Sequence, residues 1–375
     1  MNILNFSENI VRLRRKKGIT QEELADFVGV TKASVSKWET KQSLPDIVLL
    51  PQLATFFNVT VDELLGYEPQ LSKEQIQKTY HDLAADFANM PFEDVMEKSE
   101  NMVKKYYSCY PFLFQICVLW LNHFMMASES KRQLEILTSA SNLCTHIISN
   151  YNDIGICNDA ILLKASIDLQ LGKTQEVIDT LEEILNPYRF SNQSDTVLIQ
   201  AYQLAGQTEK ADSFTQMSMF SHLITLVGSA VQYLEIHRND PDGCQDTINR
   251  IDCLIAAFHL DNLHPNTSAL FNYQTAIIYC LQQKHQEALK RLDKYASIVC
   301  YLLTDNNLFL HGDSYFVLLH KWFEQSDLGL NAPRDKKVIL DGAIQALNNP
   351  VFSALEQNST FYRIKNHLKE EGEKL

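Results

Sequence analysis

The cations most able to grip a charged partner crowd near the start of the chain. Arg12, Arg14, Arg15, Lys16 and Lys17 fall within one short stretch, a density of guanidinium and ammonium groups suited to phosphate oxygens. The chain as a whole, 375 residues with a net charge of −13, argues the other way. The distribution resolves the conflict, because residues 1–66 carry eight Lys/Arg and eight Asp/Glu, so the acidic excess lies in the remainder. That remainder repels a polyanion and leaves the first segment to approach it. Other chemistry finds no constellation. There is no HExxH, no GxGxxG after a strand, no Walker loop and no Cys/His group at zinc spacing. His259 and His264 flank Asp261-Asn262, but without a third ligand they read as solvated loop residues. The expectation is a chain that is not an enzyme and takes no cofactor or metal.

Composition is that of a globular protein, 45% hydrophobic and 21% charged with 12 Gly and 10 Pro. At this length two domains or a repeat array is expected. The eight cysteines form no CxxC pair, and most sit in apolar helical runs such as FLFQICVLWL around Cys117. They read as small hydrophobes in a reducing compartment. The opening MNILNFSENIVRLRRKKG lacks a signal-peptide core, and no apolar run approaches the roughly 18 residues needed to cross a membrane. A cytoplasmic location without membrane contact is expected.

The elements that must position the first cations are legible from caps and periodicity. Ser7 can cap a helix that turns Ile10 and Leu13 inward and ends near Gly18. Thr20 and Glu23 form a capping box for a second helix with Leu24, Ala25 and Val28 as its buried stripe. Gly29 supplies a left-handed turn, Val30 plugs it, and Thr31 caps a third helix, 31–40, whose inner face is Val35 and Trp38. Pro45 and Asp46 start a fourth helix facing Val48, Leu49, Leu53 and Phe57 inward, and Thr60 with Glu63 opens a short fifth that ends at Gly66. Five short helices with a tight turn between the second and third make a helix-turn-helix.

The run ITQEELADFVGVTKASVSKWETKQSLPD resembles the lambda-repressor-like (Xre-type) DNA-binding family, over about residues 6–66. The resemblance rests on Gln21, Leu24-Ala25, Val28-Gly29-Val30, Val35, Trp38-Glu39 and Pro45 at fixed spacing. It implies that the third helix enters the major groove of double-stranded DNA with Lys32, Ala33 and Lys37 at the bases, and Ser36 as a further candidate. Gln21, at the start of the second helix, is expected to hold a phosphate, with Thr31, Thr40, Lys41 and the basic run, including Arg15 and Lys16, as further phosphate contacts. Arg14 and Glu39 match a structural ion pair of the family, and Trp38 is core. One departure stands out: members usually carry Gly where Lys41 stands, so a lysine there must adopt φ > 0 or the loop must differ.

A short link, 67–71, precedes a region, 72–375, that reads as helix after helix. Runs are predicted over 72–89, 92–107, 111–126, 131–149, 158–171 and 174–186. The aromatic clusters Tyr106-Tyr107-Tyr110 and Phe112-Phe114 read as core. LLKASIDLQLGKTQEVIDTLEEILNP recurs as LIQAYQLAGQTEKADSFTQM, more weakly around DPDGCQDTINRI, and as YQTAIIYCLQQKHQEALKRLDKYA, with Val177, Ala211, Ile248 and Ala288 equivalent. These runs resemble degenerate tetratricopeptide repeats, giving an all-α chain: a five-helix DNA-binding domain, 1–66, then a helical solenoid with a concave face. An Xre-type domain joined to such repeats is similar to the peptide-responsive quorum-sensing regulators of low-GC Gram-positive bacteria. That resemblance implies a short peptide ligand clamped by Asn amides, for which Asn142, Asn158, Asn249 and Asn272 are the candidates. The reading is a homodimeric regulator of a two-fold operator, dimerised by the repeats and tuned by a ligand. Two alternatives stay open: a peptide-controlled protein-binding switch with DNA binding secondary, and a ligand-independent repressor whose repeats are a dimer scaffold.

Overall fold

Helix caps and left-handed turns divide the first segment as their residue types dictate. A computed structural model describes residues 5–67, 70–185, 194–304 and 308–374. The link residues Glu68 and Pro69 and the repeat's closing Pro187 lie outside the described residues. Contact density divides the chain into two compact units, residues 1–72 with 102–112, and 73–101 with 113–375. The first therefore takes in a stretch, 102–112, that lies far from it in sequence.

In the first unit α1 (Phe6–Lys17), α2 (Gln21–Val28), α3 (Lys32–Glu39), α4 (Leu50–Phe57) and α5 (Val61–Leu65) enclose one core of Phe6, Ile10, Leu24, Val35, Trp38, Leu53 and Leu64. Capping boxes close at Thr20/Glu23 and Thr60/Glu63. The α2–α3 turn runs through Gly29 at φ 73° to the N-cap Thr31. Two expectations are corrected. Ser7 does not cap α1: the helix already begins at Phe6, and Ser7 is buried within it. Phe6 is drawn inward edge-on against Trp38, and the Asn5 N–H is tied to Leu65 O at 2.9 Å, so the chain enters the helix early. Nor do Pro45 and Asp46 start α4. Asp46 caps a 3₁₀ turn, Ile47–Leu49, before α4 begins, and the tighter three-residue pitch leaves Val48 exposed instead of buried. The added stretch is anchored by Gln70 Nε2 donating to Ser108 O at 3.0 Å and by Cys109 under Leu71. Of its aromatic cluster Phe112 is core, whereas Tyr107 is half exposed.

The second unit draws on α6 (Lys73–Asn89), α7 (Phe92–Lys105), α8 (Tyr110–His123), α9 (Ser130–Asn150), α10 (Ile154–Gln170), α11 (Thr174–Ile184), α12 (Ser194–Leu204), α13 (Thr208–Ile236), α14 (Pro241–Ala257), α15 (Leu260–Leu263), α16 (Pro265–Leu281), α17 (His285–Leu303), α18 (Leu319–Gln325), α19 (Lys336–Ala346) and α20 (Ser359–Gly372). No strand occurs among the described residues. The repeat is visible as one turn built three times. Lys173 N–H reaches Asp168 O at 2.9 Å, Gln207 N–H reaches Tyr202 O at 2.9 Å, and Lys284 N–H reaches Tyr279 O at 2.8 Å. The residue before each takes φ > 0, namely Gly172, Gly206 and Gln283. Val177, Ala211 and Ala288 then fall at the fourth position of the following helix, all buried. Ile248 is also buried but lies one helical turn deeper in α14. The repeat blurs there because α13 runs unbroken for 29 residues and packs on α12, α14 and α16.

A feature without a sequence signal closes this unit on itself. Segment 326–334 is bonded back to α6 and α8: Gln77 Nε2 donates to Ser326 O at 3.1 Å, Tyr80 Oη to Pro333 O at 3.0 Å, and Gln115 Nε2 to Asp327 Oδ2 at 3.0 Å. Arg334 Nε donates to Asn122 Oδ1 at 3.1 Å. Asp261-Asn262 is likewise no loop but the short helix α15. His264 beside it is half-buried against Thr267, with its pKa lowered by desolvation.

Candidate nucleic-acid interface

Helix α3 has two chemically opposite sides. Val35 and Trp38 are buried in the core, while Lys32, Ala33 and Lys37 are exposed and Ser36 is half-buried. Positions i, i+1, i+4 and i+5 lie within about 140° of arc at 100° per residue, so the four share one face. Thr31 holds the helix start, its Oγ1 accepting from Ser34 N–H at 3.2 Å. Thr40 Oγ1 donates to Ser36 O at 2.8 Å and closes the other end. Lys41 takes φ 63°, the left-handed conformation its glycine-substituting position demanded.

Two acids temper this face. Lys32 Nζ lies 3.3 Å from Glu22 and Lys41 Nζ 2.8 Å from Glu8, both pairs well exposed. Exposed pairs contribute little, so a phosphate oxygen can displace either carboxylate. Spacing gave no hint of them, since the partners sit 10 and 33 residues apart. Of the basic run, Arg15 and Lys16 are exposed in the last turn of α1. Lys17 lies 3.8 Å above the Phe56 ring and Arg12 bonds Asn9, so these two cations already have local partners.

Beneath the face, Arg14 grips Glu39 with Nε to Oε1 at 2.6 Å and Nη2 to Oε2 at 3.0 Å, and its Nη1 donates to Ile19 O at 2.8 Å. Gln21 Nε2 donates to Glu39 Oε2 at 2.9 Å, so the side-chain amide expected at a phosphate is instead part of this cluster. Burial by itself would raise the pKa of Glu39. The hydrogen bonds from Arg14 and Gln21 and the charges of Arg14 and Arg15 outweigh it and hold the carboxyl below its usual value. The cluster ties the last turn of α1, the first of α2 and the end of α3 together, which orients the exposed lysines.

The four Asn candidates are not brought together. Asn142 on α9 and Asn158 on α10 are exposed, and Asn249 on α14 accepts from Gln245 Nε2 at 2.9 Å. Asn272 on α16 is fully buried: its Nδ2 donates to Ser268 O at 2.8 Å and its Oδ1 accepts from Arg291 Nη1 at 3.1 Å, beside the Arg291–Asp252 ion pair. An amide so occupied is closed to a peptide from solvent, because α17 is packed over it. None of the four lines a cleft of about 360 Å³ at Lys164, Asp168 and Val177, nor one of about 760 Å³ at His81, Phe309, Asn331, Arg334 and Lys336. No helix among the described residues is long and apolar enough to cross a membrane.

Structures of apo ComR align with the chain at low similarity. The form from S. thermophilus covers 79% of this chain and 94% of that one at 15% identity and a TM-score of 0.22. The form from Streptococcus vestibularis, described as a competence regulator, covers 87% and 99% at 12% identity and a TM-score of 0.20. By sequence the matches cover a smaller share of the chain. The HTH-type transcriptional activator BcrR of Enterococcus faecalis is 40% identical over 65 residues, 17% of this chain and 32% of its own length, so the chain spans about a third of that relative. The prophage-derived HTH-type regulator YonR of Bacillus subtilis is 31% identical over 90 residues, 24% of this chain and 83% of its length. The helix-turn-helix family profile matches residues 10–64, which hold the α2–α3 turn and the exposed face of α3. With that region intact and a relative matched over most of its length, the chain belongs to the helix-turn-helix family of transcriptional regulators.

Proposed function

We propose that this protein reads a two-fold DNA operator with the exposed face of α3, and that the repeat unit pairs two copies and answers a ligand. The observation that carries the DNA reading is the alignment of Lys32, Ala33, Ser36 and Lys37 on one open face of a helix whose other face is locked into the core. The lysines donate to guanine O6 and N7, the Ala33 methyl packs on a thymine methyl, and Thr31, Thr40, Lys41, Arg15 and Lys16 hold phosphates on either side. Gln21 contributes through its first-turn backbone N–H, which no helix satisfies internally, its side chain being bonded to Glu39. On this reading residues 1–66 bind DNA, 67–71 connect, and 72–375 dimerise and sense.

The test is a titration at fixed salt of the full chain against its own upstream DNA and a scrambled duplex, beside the Lys32→Ala/Lys37→Ala variant. Loss of base contacts of about 1–3 kcal/mol each predicts at least roughly tenfold weaker specific binding, with the scrambled duplex affected far less. Equal binding by both proteins to both duplexes refutes the reading.

For the ligand, the cleft at Arg334 is the better seat than the Asn set. His81, Asn331, Arg334, Asp335 and Lys336 line it together with Ala84, Ala85 and Phe309, a mix of charged and apolar groups that suits the charged ends and apolar side chains of a short peptide. The burial of Asn272 favours the second reading, a ligand-independent repressor with the repeats as scaffold, only if that cleft also binds nothing.

A further inference from the structure

Helix α13 is uncommonly long and has two apolar sides. One faces the core of the second unit through Phe220, Leu223, Val227, Ala230 and Leu234. The other is exposed: Met219 at 39%, Leu226 at 51%, Tyr233 at 41% and Ile236 at 75%, with His222 and Ser229 exposed between them. Positions 219, 222, 226, 229, 233 and 236 alternate steps of three and four, the spacing of a seam between two helices. Singly exposed apolar residues are ordinary, but four recurring along one flank at this period, interrupted only by His222 and Ser229, are not. The charge pattern is as unusual as the spacing. From Ser213 to Leu234 the chain has no Asp, Glu, Lys or Arg, in a protein of net charge −13.

We infer that this flank of α13 is a self-association surface on which a second copy of the chain packs through the same helix. The inference rests on the operator reading above, which requires two helix-turn-helix units. Three observations select a second copy as the occupant. A heptad seam is self-complementary under a two-fold axis, where the same residues meet on both sides. The long uncharged stretch lets two acidic chains approach without the repulsion that acidic surfaces impose. The stripe, 219–236, runs for about 26 Å, and a dimer of ordinary size buries about 800 Å² per partner. Beside it α12 packs on α13, with Ser218 Oγ donating to Asp195 Oδ2 at 2.7 Å, and carries Val197 and Leu204, both strongly exposed, as further apolar area for such an interface.

The test is the oligomeric state of the full chain by sedimentation velocity at micromolar concentration. Wild type is expected to sediment as a dimer. Leu226→Asp/Tyr233→Asp is expected to sediment as a monomer with unchanged helical circular dichroism, its dimer weakened at least roughly tenfold as for a central seam residue. Ile154→Asp, equally exposed but on α10, should stay dimeric. Ile236→Asp, at the seam's most open position, should weaken the dimer several-fold, and it answers the question if the double variant unfolds. A monomeric wild type, or a double variant and Ile236→Asp that both remain dimers, overturns the inference. Operator titration of the same samples separates it from the DNA reading. A dimer lost on Leu226→Asp/Tyr233→Asp but indifferent to operator sequence keeps the seam and discards the operator. Tight operator binding by a dimer that survives every seam variant does the reverse.

Discussion

At the scale of single residues, the surface lysines and the buried acid below them carry different burdens. Lys32 and Lys37 cost the fold little if removed, being exposed, so their loss should register in DNA affinity alone. Glu39 is the opposite case. Its carboxyl is nearly buried and holds Arg14 and Gln21, so Glu39→Gln leaves a guanidinium without its charge partner. Breaking such a pair should destabilise the first unit by roughly 2–4 kcal/mol at neutral pH. The pH dependence has a definite sign. Because the folded pKa of Glu39 lies below the ordinary 4.5, its contribution is complete above that value and is lost as pH falls through the lower folded value. Thermal unfolding of wild type and Glu39→Gln from neutral pH to below pH 4 should show a gap that is constant above about pH 5 and narrows below 4.5. A gap independent of pH would mean that the carboxylate charge is not what stabilises the cluster.

At the scale of elements, left-handed turn residues decide where helices stop, and among the described residues four of them are not glycine: Lys41, Asn58, His259 and Gln283. Lys41 at φ 63° ends the α3 region, and Gln283 at φ 60° occupies the turn that Gly172 and Gly206 make elsewhere. A side chain in that region costs about 1 kcal/mol or more, a penalty partly recovered because glycine gains more freedom in the unfolded chain. Lys41→Gly should therefore raise stability by roughly 0.5 kcal/mol, while operator binding weakens through loss of a phosphate-reaching cation. Calorimetry and DNA titration of the one variant should move in opposite directions. Movement of both downwards would show that the Glu8 pair matters more than backbone strain. The same turns explain why the repeat could be aligned from Gly172 and Gly206 but was weak near Ile248: the equivalent position, Gly243, lies inside α14 and takes no left-handed conformation.

At the scale of the whole molecule, charge is partitioned: a neutral first segment with its cations clustered, followed by a remainder that holds the acidic excess. Binding to DNA should therefore depend on salt through the first unit alone. Arg15, Lys16 and Lys41 from each of two copies make six cationic phosphate contacts, which predicts a slope of log K against log salt of about −5, against about −3 for one copy. A slope near −3 in a protein that sediments as a dimer would mean that one helix-turn-helix engages at a time.

What the sequence by itself determined was local. Capping boxes at Thr20/Glu23 and Thr60/Glu63, the turn at Gly29, the core of Leu24, Val35 and Trp38, and the Arg14–Glu39 pair all rest on short-range patterns or on a family motif that encodes them. The open face of α3 was legible for the same reason, since helical periodicity alone puts Lys32, Ala33, Ser36 and Lys37 opposite Val35 and Trp38. Only the tertiary structure decided where long-range partners fall: Gln21 on Glu39, Asn272 beneath Arg291, Glu8 on Lys41, and segment 326–334 back on α6 and α8. It also showed that α13 keeps an apolar side open to solvent. Periodicity says that a side chain faces inward or outward from its own helix, but which helix, if any, covers it depends on packing between residues hundreds of positions apart, and no local pattern carries that information.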